Sequence, residues 1–459
     1  MKKAGKNIAI LIFWLCIWAL IAFCIGSPVI LANPLETAET FLHSLVTPTF
    51  WFAILTSFTH IAAGLIIACF LGCFLALLSS RFHFLRDVLS PALSFVKSSP
   101  VVCITILLLV WFGAAFVDLT TVLISVLPLY YFAIEQACKQ RDVKRANMLL
   151  LYKVPFIRRV RIFEWPNIAP FFTQSTKVAV GISWKSGVTA ELIGLGAASI
   201  GSNIYNDKLS LDTASILMWT IVVVLFCWAC EKCVLSLVNF TSKKSRFRIE
   251  HGEIEDIKSE GSSLNISLEN IYKAFNGNKL YDDFNLFIKP GQRVCITGET
   301  GSGKTTLVNM VLGLQRSCSG KVTLDSKNLD KTKRIFSVCF QEDLLLYNLT
   351  AAQNVSYIAN VSEHSAIKFI KDILSEDAAN LLPNELSGGM KRCVEICRAM
   401  AANSACVVLD EPFAGLDKET KLKAISFINR HIGKRTLILV SHDKDDASPN
   451  ALNCELIYL

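Results

Sequence analysis

The sequence predicts two parts of different kinds: a polytopic α-helical membrane domain of about six spans, then a soluble α/β domain. Three observations carry this. Of the 459 residues 52% are hydrophobic and only 18% are charged, too apolar for one soluble globule and too ordered in composition for a disordered chain. The apolar residues gather in long runs within the first 240 positions. After Thr241 the composition turns polar, and the remaining residues alternate strand-like and helix-like runs as an α/β domain does. The length allows two to four domains at about 150 residues each, and we divide it as 1–240, a linker at 241–262, and 263–459.

Crossing a bilayer as a helix takes about 20 apolar residues. Six stretches qualify: Ile8–Leu31, Trp51–Leu78, Ala92–Phe116, Leu119–Gln136, Phe171–Leu195 and Asp212–Leu235. Lys2, Lys3 and Lys6 precede the first like the start of a signal peptide, but the run is long and lacks a small-x-small cleavage site, so a retained anchor is expected. The N-terminus, the Arg81–Arg86 turn, the Lys139–Arg161 loop and Lys243–Arg248 are basic, while the intervening connections carry only Lys208. Lys and Arg collect on the cytoplasmic side, so both termini and the soluble domain are expected in the cytoplasm of a multi-pass inner-membrane protein. The net charge of +8 belongs to these flanks and gives no reason to expect nucleic acid as a partner.

The 16 cysteines follow no disulfide or zinc spacing. Cys227, Cys230 and Cys233 have iron–sulfur-like spacing, but on a membrane helix residues three apart fan out over too wide an arc to share a cluster. His60, Lys185 and Glu191 are ionisable residues inside spans, which makes them functional candidates. Lys185 and Glu191 cannot pair along one helix. A structural role is expected for Glu191, and packing for His60.

In the soluble part, the buried-strand run Arg293–Thr297 leads into Gly298-Glu299-Thr300-Gly301-Ser302-Gly303-Lys304-Thr305 and then a helical stretch from Thr306. Strand, glycine loop and helix at this spacing let bare backbone N–H groups wrap phosphates at a helix N-terminus. Lys304 then reaches the β- and γ-phosphates, and Thr305 contacts Mg²⁺. A second strand, Ala405–Leu409, ends in Asp410-Glu411, two carboxylates at the carboxyl edge of a parallel sheet, where ligands of such folds bind. Asp410 is the candidate Mg²⁺ partner and Glu411 the candidate base that polarises water for attack on the γ-phosphate of ATP.

Between these motifs lies Leu386-Ser387-Gly388-Gly389-Met390, which resembles the signature of ATP-binding-cassette (ABC) ATPases. Gln341 in Val338-Cys-Phe-Gln-Glu342 is similar to the Q-loop glutamine, which implies a place in catalysis and on the metal. Gly415-Leu-Asp417 resembles the D-loop, and His442 in Val440-Ser-His-Asp443 the switch histidine. Phe275 resembles the aromatic that stacks on adenine. The resemblance covers residues 263–459 and implies that Ser387, Gly388, Gly389 and Asp417 act on a nucleotide held by another cassette, so a second copy or a homologous half-transporter is the expected partner. Met390 and Lys391-Arg-Cys393 depart from the usual Gln and Lys-Gln-Arg. The chain stops soon after His442, as a minimal cassette would.

Six spans before one cassette is also the order of half-size exporters, whose membrane domains are longer because their helices extend far into the cytoplasm. Here the long cytoplasmic connection is Cys138–Asn167, with Ala146, Arg158-Arg-Val-Arg161, Pro166 and Pro170. It resembles the coupling segment of importer permeases, although Trp165 replaces the usual leucine and Lys153 falls near the usual glycine. Pro91–Pro100, Leu109-Val-Trp-Phe-Gly113, and Trp184 with Ala190–Gly194 resemble the nitrate, sulfonate and taurine permeases. The resemblance implies an ATP-driven importer half, embedded in membrane lipid, that takes a small-molecule solute from an extracytoplasmic solute-binding protein. Exporter and membrane-anchored regulatory ATPase are the alternatives. The coupling segment is expected to dock beside Gln341, with the two prolines bending the chain before the fifth span.

Overall fold

The computed structural model describes residues 2–196, 198–243, 263–275, 278–299, 301–325 and 334–459. Nearly all of the linker expected at 241–262 and the loop residue Thr300 lie outside the described residues. The chain forms two compact units, Met1–Gln140 with Asn167–Arg246, and Arg141–Pro166 with Phe247–Leu459.

The first unit is helical: α1 (Lys2–Ile25), α2 (Pro34–Ser44), α3 (Pro48–Arg81), α4 (His83–Ser98), α5 (Val101–Phe112) and α6 (Val117–Lys139), and, beyond the segment that belongs to the other unit, most of a long helix that starts at Trp165, then two more helices. α3 and α6 pack closely because α3 presents small residues at helical spacing. Gly64, Ala68, Gly72 and Ala76 are buried, and a Cβ on Gly64 or Gly72 would stand 2.7 Å from Leu119 O or 2.9 Å from Leu127 O, so only bare backbone permits this approach.

The expected third span is broken. α4 and α5 meet at an angle of 106°, because Pro100 disfavours helix at the residue before it and Ser99 is extended there, at φ −74°, ψ 140°. Among the described residues, α3, α6 and residues 213–234 are long and apolar enough to cross a membrane, with a fourth crossing if α4 and α5 count as one. In α1, the apolar run Ile12–Ile25 is shorter.

The second unit opens with α7 (Val143–Leu151), α8 (Phe156–Arg159) and a π-turn over Val160–Glu164, after which α9 (Trp165–Gly194) begins. The two prolines expected to bend the chain do not end a helix: both lie within α9. Helix runs without a gap from Phe156 through the π-turn into α9, and the π-turn just before Pro166 is where the hydrogen-bond ladder shifts to accommodate the missing N–H. The remaining helices of the first unit are α10 (Ile200–Leu209) and α11 (Thr213–Lys243).

The rest of the second unit runs β1 (Asn265–Phe275), β2 (Asn278–Ile288), β3 (Arg293–Thr297), α12 (Lys304–Val311), β4 (Ser319–Asp325), β5 (Arg334–Cys339), α13 (Ala351–Ala359), α14 (Glu363–Lys371), α15 (Gly388–Ala401), β6 (Ser404–Asp410), α16 (Lys418–His431), β7 (Thr436–Val440) and β8 (Glu455–Tyr458). An antiparallel sheet β2-β1-β4 accompanies a parallel sheet β5-β6-β7-β3-β8. β6 and β7 are buried throughout, which is why both read as unbroken apolar runs. One hydrophobic core joins Ala146, Met148, Leu149, Tyr152, Val154, Ile162 and Phe163 to residues of α13, α15 and α16, so the 141–166 segment is part of the soluble unit's interior.

Candidate nucleotide site and the segment docked beside it

β3 delivers the glycine loop to the N-terminus of α12. Gly298, Gly301 and Gly303 have φ of 156°, 92° and 101°; a Cβ on Gly303 would lie 2.7 Å from the Tyr281 hydroxyl, so backbone conformation and space both require glycine there. Lys304 is 7% exposed and its Nζ donates to Gly298 O and Glu299 O, each at 2.8 Å. The Ser302 hydroxyl is buried without a hydrogen-bond partner among the described residues.

A cavity of about 370 Å³ is lined by Phe275, Leu280, Gly301, Gly303, Lys304, Thr305, Thr306, Gln341, Glu411, Val440 and His442. It therefore gathers half of the nucleotide-site residues singled out from the sequence. Phe275, half-exposed at the end of β1, forms its apolar wall. Asp410 ends β6 and is buried, and burial, then the neighbouring Glu411 carboxylate, push its carboxyl up to about 6 against the pull of Arg392 and Lys304. Glu411 has φ +47°, a conformation few non-glycine residues adopt and one found at functional sites. Its N–H donates to Val440 O at 2.9 Å, and its Oε1 lies 2.7 Å from His442 Nε2. Candidate base and switch histidine thus stand in direct contact, which sequence spacing did not reveal.

Ser387, Gly388, Gly389 and Asp417 do not line this cavity. Ser387 caps α15, accepting from Met390 N at 3.2 Å, and Asp417 caps α16, accepting from Thr420 N at 3.1 Å. A Cβ on Gly389 would lie 3.2 Å from Gly415 O, so signature and D-loop are neighbours.

Sequence reasoning missed a buried trio on α15. Arg392 donates to Gln341 O at 2.5 Å and to Phe340 O, and pairs with Glu395 at 3.0 Å. Glu395 accepts from Leu344 N at 2.9 Å, and Arg398 donates to Leu344 O at 3.0 Å. The signature helix thereby holds the backbone on both sides of Gln341. Arg392 was visible only as a departure from the family pattern.

The docked segment grips the same stretch from the other side. Arg145 donates to Leu345 O at 2.9 Å and Asp343 O at 3.3 Å. The buried Tyr152 hydroxyl donates to Val338 O at 3.0 Å and accepts from Val338 N at 3.1 Å. Arg158 reaches Asn360 Oδ1 at 2.7 Å, and Asn348 donates to Ile162 O at 3.0 Å. The expected docking beside Gln341 is what the structure has. Lys153, near the glycine expected in such a segment, has φ +45°, the left-handed region that favours glycine.

In the first unit, Glu191 accepts from Gly201 N at 2.9 Å, close to the start of α10, the structural role expected of it. His60 does more than pack: its Nδ1 lies 2.8 Å from Asp118 Oδ2. Lys185 is exposed.

A glycine-loop α/β unit with signature, Q-loop and switch histidine, in a chain that begins as a helical membrane unit, defines an ATP-binding cassette joined to a permease. The family profile described as ABC transporter matches residues 281–414, and that described as binding-protein-dependent transport system inner membrane component matches residues 64–231. The thiamine import ATP-binding protein ThiQ of Photorhabdus laumondii is 30% identical over 195 residues, 40% of this chain and 82% of its own. The sulfate/thiosulfate import ATP-binding protein CysA of Nephroselmis olivacea is 32% identical over 197 residues, 40% of this chain and 57% of its own. This chain therefore spans little more than half the length of some of its relatives. A solved dimeric ATP-binding cassette, in a post-hydrolysis state with ADP and Pi, is 30% identical, with a TM-score of 0.37 over 42% of this chain and 94% of its own. The chain belongs to the ABC transporter family and joins a multi-pass permease domain to an ATP-binding cassette.

Proposed function

We propose that this chain is one fused half of an ATP-driven importer that works with a second copy of itself, or with a homologous half, and receives a small solute from an extracytoplasmic binding protein. Residues 1–240 are the permease and 263–459 the cassette, with both termini in the cytoplasm and the spans in lipid. The observation that carries the reading is the 141–166 segment, buried in the cassette's core against the backbone around Gln341, in a chain whose membrane part matches a binding-protein-dependent permease.

The donor set suits Mg²⁺ with ATP. Hydroxyl, amide and carboxylate oxygens are hard ligands, and among the described residues no cluster of His, Cys, Asp and Glu competes as a metal site. Thr305, Gln341 and Asp410 would hold the ion, which neutralises charge on the phosphates. The loop from Gly298 to Thr306, including Glu299, Thr300 and Ser302, surrounds the phosphates, Lys304 draws charge from the γ-phosphate, and Phe275 covers the adenine. Glu411 takes a proton from the attacking water, and His442, 2.7 Å from its carboxylate, restricts the carboxylate's direction. Ser387, Gly388, Gly389 and Asp417, which stand outside the cavity, serve the nucleotide of the second cassette. Each chain supplies half of each of two sites.

The test is whole-cell accumulation from a defined mixture of nitrate, sulfonates, thiamine and polyamines, read by mass spectrometry, with the parental chain and Glu411→Gln in parallel. An importer accumulates at least one solute only with the parental chain. Glu411-dependent depletion of a cell constituent would mark an exporter instead.

A further inference from the structure

A cavity in the membrane unit has no part in ATP chemistry. It measures about 620 Å³ and lies between α2, α3, α10 and α11, a volume that suits a small organic ligand. One wall is aromatic: Phe50 and Trp219 are stacked with ring centroids 5.0 Å apart at 26°, and both are nearly fully buried. Facing groups include Thr49, Asn203, Ser215 and Asp207.

Asp207 is the telling residue. The half-buried Asp207 carboxylate has the Trp219 side chain as a hydrogen-bond neighbour, yet its Oδ2 is buried with no partner among the described residues, a costly arrangement for a group that ionises. It also sits in the last turn of α10, the negative end of the helix dipole, where an anion is disfavoured.

Among the described residues, no lysine or arginine lines the cavity. The adjacent Lys208 places its Nζ 5.9 Å from the Tyr205 ring. Asp212, a second acid nearby, spends its carboxylate on Ser215 N and Oγ, at 3.1 and 2.6 Å. The positive N-terminal turns of α3 and α11 oppose this charge only partly: α3 starts with Pro48, which has no N–H, and the Asp212 carboxylate already caps α11. A helix end carries about half a charge, so a full carboxylate outweighs it.

We propose that this cavity binds a small cationic solute, an ammonium or amidinium carried on an apolar or aromatic body, with Asp207 as counter-charge and the Phe50–Trp219 stack as its wall. The cation offsets a carboxylate that no lysine or arginine of the cavity lining balances, and the aromatic wall receives the solute's apolar body. The proposal rests on the importer reading and narrows its solute class away from the anions that the permease resemblance suggests.

The probes are three benzyl compounds of similar shape: benzylammonium, benzyl alcohol and benzylsulfonate. Their binding to the full chain in phosphatidylcholine nanodiscs without nucleotide is followed by titration calorimetry. Saturable binding of benzylammonium is expected, weakened about tenfold or more by Asp207→Asn and less by Asn203→Ala, with benzylsulfonate not binding. Benzylsulfonate binding as well as benzylammonium, no saturable binding of benzylammonium, or an affinity untouched by Asp207→Asn would each overturn the proposal. Should Asp207→Asn not fold, Trp219→Leu serves as the second variant and must weaken benzylammonium. The binding assay uses no ATP and the accumulation assay no nanodisc. A site that fails while accumulation persists leaves the importer reading standing, and Asp207-dependent binding without accumulation does the reverse.

Discussion

Removing one oxygen atom from Tyr152 should loosen the permease segment from the cassette. β5 is the edge strand of its sheet, so Val338 has strand neighbours on one side only, pairing with Val408. Its outward N–H and C=O are both satisfied by the Tyr152 hydroxyl, at 3.1 and 3.0 Å. In Tyr152→Phe the ring still fills its buried place, so little packing is lost. A buried donor and a buried acceptor are each left unmet, at about 1–3 kcal/mol apiece. With partial relaxation we take about 2–4 kcal/mol, which is about a 30- to 900-fold shift in the equilibrium between docked and undocked segment. Hydrogen exchange of the amides from Met148 to Val154, read by mass spectrometry on the full chain in nanodiscs, should accelerate within that range. Solute accumulated per ATP hydrolysed should fall while hydrolysis itself persists. Unchanged exchange together with an unchanged ratio would refute both the energetic reasoning and the assignment of this segment as the coupling element.

Other outcomes rest on the same geometry. Glu411→Gln keeps the shape but cannot accept a proton, so hydrolysis should fall by about 10²–10⁴ with nucleotide still bound, whereas Lys304→Ala should lose binding itself; single-turnover hydrolysis and filter binding of labelled ATP separate the two. The folded-state value of Asp410 is raised, to about 6, so between its ordinary value and 6 the folded protein holds more proton than the unfolded, and the stability this group contributes declines as pH rises through that window. Mg²⁺-dependent ATP binding needs the ionised form and should weaken as pH drops below about 6, a dependence that Asp410→Asn should abolish in a binding titration. Lys153→Gly should stabilise the docked turn by up to about 1 kcal/mol, because glycine carries no penalty at φ +45°, measured as a higher denaturation midpoint.

The phosphate-binding half of the site was legible because its chemistry demands particular residue types at fixed spacing: glycines at 298, 301 and 303, Lys304, and a strand ending in Asp410-Glu411. The docking of the 141–166 segment was legible too, from its length, its basic residues and its likeness to a coupling loop. What stayed hidden depends on backbone direction or on partners far apart in the chain. Glu411 reads as any glutamate, and its left-handed φ and its closeness to His442 arise only when β6 and β7 lie side by side. Arg392 and Glu395 are three apart on α15 and look like a surface pair. They are buried because the backbone of Phe340–Leu344 supplies carbonyl and amide partners. Hydropathy merged α4 and α5 into one stretch because it weighs composition and ignores what Pro100 does to Ser99. Asp118, just ahead of the apolar stretch Leu119–Gln136, is buried in the first turn of α6 with His60 as its partner.

The sharing of one core between a permease segment and a cassette also governs how the chain can be made. Tyr152 and the strand it caps lie 186 residues apart. At a synthesis rate of about 5–20 residues per second, α7 emerges about 10–40 seconds before β5 exists to receive it. During that interval Met148, Leu149, Tyr152, Phe163 and their neighbours have no apolar partner from the cassette, and once made, the cassette lacks part of its own interior until they arrive. Carrying both on one polypeptide guarantees that the partner comes from the same ribosome, at a concentration set by the tether and not by the cell's supply of a separate subunit. A cassette expressed alone from residue 263 would carry an open apolar groove and tend to aggregate, so joining the two parts in one chain acts as an assembly aid during birth as well as a stoichiometric link afterwards.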